Sequence, residues 1–124
     1  MAFKIELFVI DLHQSIHFYQ EILGCSLMKQ GENSALFKNE DTFLLLTGES
    51  ILDEDHYFRK RNLANKGVGV ELILSVDDVN DHYEQITKVA PKVIESPIKH
   101  QSWGATDFRV IDPDGYYIRV TSKG

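Results

Sequence analysis

The sequence predicts an α+β domain made of two related βαβββ modules, and three observations lead to this class. Apolar and polar residues alternate at residues 3–10 and 69–76, which is typical of half-buried strands. Each strand runs into an acidic corner, Asp11 or Asp78, that is followed by a helical pattern. Shorter strand-like segments separated by turn residues follow each helix. We therefore expect curved mixed sheets around a shared cavity, which is the usual place for a ligand.

Composition limits the class of protein further. A chain of 124 residues suits one domain with its own core. The net charge of −6 argues against nucleic acid as the main partner, because phosphate binding needs a basic face. No apolar stretch is long enough to span a membrane, and the alternating start differs from a signal peptide. We expect a cytoplasmic protein with neither a nucleic-acid nor a membrane partner.

The single cysteine, Cys25, leaves no internal disulfide and no cysteine zinc site to consider. It follows Gly24, at the point where a helix is predicted to give way to a strand. No base that could activate the thiol is evident in the sequence, so we expect a small buried residue here.

The first module is predicted to span residues 1–49. Its helix begins near Asp11 and ends at Gly24, and strands follow at residues 25–29, 34–38 and 42–47. The apolar face of this helix consists of Leu12, Ile16, Tyr19 and Leu23. His13 and His17 are spaced like a metal-binding pair, but they lie on another face without a third ligand. We interpret them as solvent-exposed residues.

Residues 50–67 are predicted to be a linker between the modules, and this segment could also cover a pocket as a lid. An acidic run, Asp53–Asp55, precedes a basic run, Arg59–Arg61. Acids first and bases last is the order that a short helix prefers for its dipole. This order favours a solvated surface helix over a phosphate-binding patch.

The second module is predicted to span residues 68–124. Pro91 ends its helix, and strands follow at residues 93–96, 106–111 and 116–121. The sequence Asp112-Pro113-Asp114-Gly115 predicts a tight turn between the last two strands. The apolar face of the helix consists of Val79, Tyr83, Ile86 and Val89.

Three sets of motifs follow one another along the chain: Val9-Ile10-Asp11-Leu12 with Ser15, Phe18-Tyr19 and Leu23-Gly24; then Val76-Asp77-Asp78-Val79; then Trp103-Gly104, Phe108 and the Asp112–Gly115 turn. They resemble the motifs of one family, the glyoxalase, bleomycin-resistance and extradiol-dioxygenase (vicinal-oxygen-chelate) superfamily, with the bleomycin-resistance branch the most similar. Each motif is modest alone, but their order and spacing cover nearly the whole chain. The resemblance implies paired βαβββ modules, usually in a homodimer.

The enzymes of this family hold a divalent metal with His, Glu or Gln at matched strand positions. Carried onto this sequence, those positions hold Lys4, Glu71 and Arg119, with the fourth at about Leu45. Only Glu71 among them can bind a divalent metal, since lysine and arginine are cations. The resemblance therefore implies that the metal site is lost and that the chain has no cofactor.

Lys4, Glu71 and Arg119 allow two interpretations that do not exclude each other. They could form a partly buried salt-bridge cluster, because an unpaired charge inside a protein is costly. Alternatively, the excess positive charge could recognise an anionic ligand, and an arginine fork suits a carboxylate or a phosphate.

Strand alternation extends this candidate ligand site. Glu6 and Phe8 share the face of Lys4, Ile73 shares that of Glu71, and Tyr117 shares that of Arg119. Trp103 could stack on a flat ligand, although packing over the sheet edge is the slightly favoured interpretation. The mixed lining suits a small amphipathic organic ligand, and an anionic or aromatic compound would meet this description.

The leading hypothesis is a metal-free protein that binds a small molecule, either to sequester a drug or metabolite or to sense one. The alternative is an enzyme of the lyase, isomerase or dioxygenase type. Its metal would be displaced onto Glu6, Glu71 and a histidine such as His56 or His100, or Glu71 would act as a general base. A third possibility is a dimerisation module whose pocket has closed. We assign no catalytic residue.

Overall fold

The computed structural model describes residues 1–61 and 63–123, which form two compact units, Met1–Asn65 and Lys66–Gly124. Each unit contains a four-stranded mixed sheet with an α-helix packed on one face. The predicted α+β class and the βαβββ order of each half are confirmed. The cavity shared by the two modules stays a prediction.

In the first unit the strands are β1 (Lys4–Val9), β2 (Leu27–Gln30), β3 (Ser34–Asn39) and β4 (Thr42–Gly48). They lie in the order β1-β4-β3-β2, with β1 parallel to β4 and the other pairs antiparallel. Helix α1 (Leu12–His17) follows β1 and continues as a π-helical turn, Phe18–Ile22.

In the second unit the strands are β5 (Glu71–Val76), β6 (Ile94–His100), β7 (Thr106–Ile111) and β8 (Tyr117–Ser122). Their order, β5-β8-β7-β6, repeats that of the first sheet, and β5 and β8 are the parallel pair. Helix α2 (Val79–Val89) follows β5. No helix in the described part of the chain is long and apolar enough to span a membrane.

The two corner aspartates begin the two helices in the same way. Asp11 accepts a hydrogen bond from the amide of Gln14 at 3.1 Å, and Asp78 accepts one from the amide of Asp81 at 3.0 Å. Each carboxylate satisfies an amide that has no partner inside the helix, a capping interaction typically worth about 1 kcal/mol. The repeated acidic corner in the sequence is therefore a repeated helix N-cap.

Alternation along the strands separates the two faces of each sheet. In the first unit Leu7, Val9, Ala35 and Phe37 are buried, together with all four residues of the predicted apolar face of α1. In the second unit the buried apolar residues are Val76, Val79, Ile86, Phe108, Val110, Ile118 and Val120. The strand residues that alternate with these buried ones lie on the opposite face of each sheet, which we call the helix-free face.

Two predicted details of the second unit were wrong. Val89, predicted on the apolar face of the helix, is 67% exposed at the last residue of α2. The strand predicted at residues 93–96 is β6, which runs on to His100. Pro97 is tolerated there because β6 is an edge strand, in which an amide donor can be missing.

In the first unit β2 begins at Leu27, later than predicted, because the amide of Cys25 still donates to the carbonyl of Tyr19 at 2.8 Å. Gly24, with φ 81°, supplies the left-handed residue that ends the helical segment there. Beyond β4 the chain forms short 3₁₀ turns. The turn Tyr57–Lys60 carries the basic residues Arg59 and Lys60 at its end as predicted, but no acidic residue lies in its first turn.

The turn Asp112–Gly115 joins β7 to β8 as predicted. Oδ1 of the buried Asp112 accepts hydrogen bonds from the amides of Asp114 at 2.9 Å and Tyr116 at 2.8 Å. The amide of Gly115 donates to the Asp112 carbonyl at 3.1 Å. One carboxylate therefore fixes the backbone of the whole turn.

The start of the second unit is anchored on this turn. Lys66 Nζ lies 3.2 Å from Asp114 Oδ1, and the two side chains are only 5% and 2% exposed. The next residue, Gly67, has φ 81°, and a Cβ built there would lie 2.6 Å from the carbonyl oxygen of Gly115. Only glycine allows this close approach of two backbone segments.

We predict that Gly67→Ala destabilises the protein by about 3 kcal/mol, because it combines a left-handed alanine with a clash against backbone. Gly69→Ala is the matched control, since Gly69 has φ 82° but nothing lies within 4 Å of the place that a Cβ would occupy. It should cost about 1 kcal/mol. Urea denaturation of both variants measures the difference, and equal losses would show that the contact with Gly115 is unimportant.

We predict that the Cys25 thiol is inert in the folded protein. Burial, partly offset by a hydrogen bond with Asn39, raises its pKa from 9.0 to about 11. The folded thiol keeps its proton longer than the unfolded one, so the free energy of unfolding falls as pH rises from 9 to 11. Below pH 9 no stability is lost through this group.

The measurement is the rate of reaction with a disulfide reagent at pH 8, with and without denaturant. Reaction should require unfolding, and Cys25→Ala should show a weaker fall in stability at alkaline pH. Fast labelling of the folded protein would contradict this account.

Candidate functional site

The helix-free face of the second sheet concentrates charged and polar side chains. On β7, Phe108 points to α2, where its ring packs on Tyr83 with centroids 5.1 Å apart. Its neighbours Asp107 and Arg109 therefore belong to the opposite face. Arg109 is paired directly with Arg119 of β8. On the other side of β8, Arg119 is paired with Ile73 of β5. The register thus places two arginines side by side.

Glu71 lies against both arginines. Its Oε1 is 2.7 Å from Arg119 Nε, and its Oε2 is 3.9 Å from Arg109 Nε. Arg119 Nε is nevertheless a buried atom without an aligned hydrogen-bond partner in the described residues, so the close contact is an ion pair without hydrogen-bond geometry. The three side chains are 31%, 21% and 24% exposed for Glu71, Arg109 and Arg119, which leaves them accessible to a ligand.

Asp107 holds one member of the arginine pair, Arg109. This carboxylate is 1% exposed, and its Oδ1 accepts hydrogen bonds from Gln101 Nε2 at 2.8 Å and Arg109 Nη1 at 3.4 Å. Its Oδ2 is buried and has no hydrogen-bond partner within residues 1–61 and 63–123. A buried carboxylate held by one arginine and one amide fixes the position of Arg109.

Tyr117 borders the arginines on β8. Its hydroxyl donates to Glu95 Oε2 at 2.7 Å. Desolvation and this carboxylate raise the pKa of Tyr117 to about 12. The phenol is therefore a neutral hydrogen-bonding group at physiological pH, and it cannot act as a base there.

The helix-free face of the first sheet combines aromatic and apolar side chains with charged and polar ones. Phe8 packs against Phe58 and His56, with ring centroids 5.4 Å and 5.8 Å away. Nδ1 of His56 accepts the amide of Phe58 at 3.1 Å, which orients the imidazole ring. Glu6 accepts a hydrogen bond from Thr47 at 2.7 Å. Lys4 is exposed at the start of β1 and forms no ion pair with any described residue of the chain.

Trp103 does not pack over the sheet edge, which was the favoured interpretation from sequence. It is 63% exposed in the loop between β6 and β7. Ile73 is 56% exposed on the helix-free face of its sheet.

An open depression of about 500 Å³ in the first unit is bounded by Leu52, Asp53, Glu54 and Arg59, and it contains none of the predicted site residues.

Sequence reasoning missed Arg109 and Asp107. A signal for Arg109 was available, because the tight turn at Asp112 sets the pairing of the flanking strands and places Arg109 opposite Arg119. The missed residues add one charge of each sign to the site. The structure brings Glu71 and Arg119 together as one interpretation expected, whereas Lys4 belongs to the other unit.

The register shows that the family's ligand positions were carried over consistently. Leu45 is paired with Glu6, two residues after Lys4, and Arg119 is paired with Ile73, two residues after Glu71. Lys4 in the first unit thus corresponds to Glu71 in the second unit, and Leu45 corresponds to Arg119. Leucine offers no donor, and the carboxylate of Glu71 lies between two guanidinium groups, so these residues do not fit a divalent metal.

The displaced site proposed from sequence also finds no support in the described residues. No three His, Cys, Asp or Glu side chains among residues 1–61 and 63–123 group closely enough to hold a metal ion. His100 Nδ1 lies 3.0 Å from Thr106 Oγ1, and His13 and His17 are exposed on α1 as expected.

Comparison with known proteins identifies the family. The model of the glyoxalase/bleomycin resistance protein/dioxygenase superfamily matches residues 3–120. YraH, an uncharacterized protein of Bacillus subtilis (strain 168), is 27% identical over 120 residues, which are 94% of this chain and 94% of that protein.

Solved structures of other proteins have the same fold as this chain. A protein of unknown function from Agrobacterium tumefaciens str. C58 is 28% identical, with a TM-score of 0.81 over 100% of this chain and 95% of that chain. A glyoxalase/bleomycin resistance protein/dioxygenase from Nocardioides, 20% identical with a TM-score of 0.76, has the same fold over 98% of this chain and 82% of that chain. The chain therefore belongs to the glyoxalase/bleomycin resistance protein/dioxygenase superfamily.

Proposed function

We propose that this chain binds a small organic molecule on the helix-free faces of its sheets, without a metal, to sequester a drug or metabolite or to sense one. The observation that carries the proposal is the ion pair of Glu71 with Arg119 at 2.7 Å. This pair stands at positions where enzymes of the family have metal ligands. A carboxylate between two guanidinium groups favours recognition of polar ligand groups over metal chemistry.

The helix-free face of each unit carries groups that an organic ligand can use. The first unit offers the ring of Phe8 on β1 and the rings of His56 and Phe58, which pack against it, for apolar contact. The second sheet offers charged groups and the apolar side chain of Ile73. Small-molecule sites commonly combine apolar walls with a few polar groups that fix orientation, and these residues match that pattern. We also propose that Lys4, Glu6, Tyr117 and Trp103 contribute to ligand contact.

The enzyme hypothesis receives less support from the same geometry. A general base needs a carboxylate that is free to take a proton from substrate, and Glu71 is engaged by two cations. Glu6 accepts from Thr47, and His56 packs among aromatic rings, so neither is arranged as a metal ligand. We also propose that the protein is cytoplasmic and forms a homodimer. Analytical ultracentrifugation can test the oligomeric state.

We predict that Ile73→Glu weakens ligand binding more than about tenfold, because it places a charge on the apolar part of the site. The exposure of Ile73 means that the variant should fold normally. Val89→Glu is the matched control, since Val89 is 67% exposed on the helix side of the same sheet. It introduces the same charge away from the site.

The measurement uses protein treated with a chelator and a library of small aromatic acids, amines and neutral compounds. Binding is followed by quenching of Trp103, the only tryptophan, by displacement of anilinonaphthalene sulfonate and by thermal shift. The proposal expects ligands whose binding is lost in Ile73→Glu and kept in Val89→Glu. It would be contradicted if no compound bound, or if both variants behaved alike.

A further inference from the structure

The arrangement of Arg109 and Arg119 requires an anion between them. They are direct partners on neighbouring antiparallel strands, where opposed side chains come within about 5 Å at Cβ and like charges are destabilising. The carboxylate of Glu71 relieves this repulsion from β5, at 2.7 Å and 3.9 Å from the two Nε atoms. The site is therefore built around one carboxylate group.

Glu71 leaves most of the hydrogen-bonding capacity of the two arginines unused. Each guanidinium has five N–H donors in a rigid fork. Within the described residues, the only directed hydrogen bond from either group is Arg109 Nη1 to Asp107 Oδ1, at 3.4 Å. Arginine prefers to engage a carboxylate through two parallel hydrogen bonds, which Glu71 does not form here.

The three groups differ in how firmly they are held. Arg109 is fixed by Asp107, which is 1% exposed and also bound by Gln101 at 2.8 Å. Glu71 is the first residue of an edge strand, and its side chain is the most exposed of the three charged partners, at 31%. The carboxylate of Glu71 can therefore turn away while Arg109 stays in place.

We propose that Arg109 and Arg119 form a clamp for the carboxylate of an organic acid, and that Glu71 occupies this clamp in the absence of ligand and is displaced on binding. The inference rests on the proposed small-molecule function, and it adds the ligand class, the role of Arg109 and a built-in competitor. A carboxylate replaces the Glu71 carboxylate group for group, which a bulkier, more highly charged phosphate does not do.

The test compares benzoate with its neutral isostere benzamide and with phenyl phosphate. Dissociation constants come from calorimetry, and the arginine Nε–Hε signals in NMR spectra report directly on the clamp. Wild-type protein should bind benzoate weakly and more tightly than benzamide. Glu71→Gln removes the competing charge at equal size, so it should bind benzoate roughly three- to tenfold more tightly.

Arg119→Gln and Arg109→Gln should each weaken benzoate binding at least about tenfold. Arg119→Gln is the safer variant, because Arg109→Gln also removes a partner of the buried Asp107. Lys88→Gln, on the exposed surface of α2 at the other face of the sheet, removes the same charge and should have no effect. Circular dichroism checks that each variant is folded.

Equal or weaker benzoate binding by Glu71→Gln would overturn the displacement of Glu71. Equal affinities for benzoate and benzamide, or tighter binding of phenyl phosphate, would overturn the carboxylate clamp. In these cases binding that is lost in Ile73→Glu would still support the proposed function. If that binding is absent as well, both proposals fail together.

Discussion

The turn that Asp112 holds sets the register on which the charged site depends. Its Oδ1 accepts the amides of Asp114 and Tyr116, so the backbone between β7 and β8 has one conformation. A slip of one residue would move every side chain of β8 to the other face of the sheet. With the turn fixed, Arg109 and Arg119 become direct neighbours, and the buried residues Val110 and Ile118 lie on the helix side of the sheet.

The two opposed arginines then determine which charges must lie around them. An anion must lie nearby, and Glu71 and Asp107 meet that need in different ways. Asp107 is buried and structural, whereas Glu71 is partly exposed on an edge strand. The same positive charges that make the site suitable for an organic anion make it unsuitable for a divalent cation. The proposed recognition of an organic anion and the poor fit to a divalent metal thus rest on one arrangement of charges.

Most of the fold could be predicted from the sequence, because its signals are local. The aspartates at the two corners, the alternating strands and the Asp112–Gly115 turn each act within a few residues. Details that depend on where an element ends relative to its neighbours could not be predicted in this way. Val89 is exposed because α2 ends at this residue, and the periodic pattern of the sequence does not mark that end. The extension of β6 past Pro97 depends on its place at the sheet edge.

The site was predictable to a lesser degree. Glu71 and Arg119 were found through the family resemblance, and their ion pair follows from the register of β5 and β8. Arg109 was missed because it occupies no position that the resemblance marks, and only strand pairing reveals it. Trp103 was misjudged because a loop residue has no periodic pattern that fixes its burial.

The central claim is that charged pairing has replaced metal coordination at the family's ligand positions. Metal content of protein purified without a chelator, followed by thermal-shift titration with nickel, zinc, manganese and iron(II), tests it most directly. The account predicts no stoichiometric metal and no stabilisation by any of the four ions. A stoichiometric metal with clear stabilisation would contradict it, and Glu6, Glu71 and the histidines at positions 56 and 100 would be the first residues to substitute.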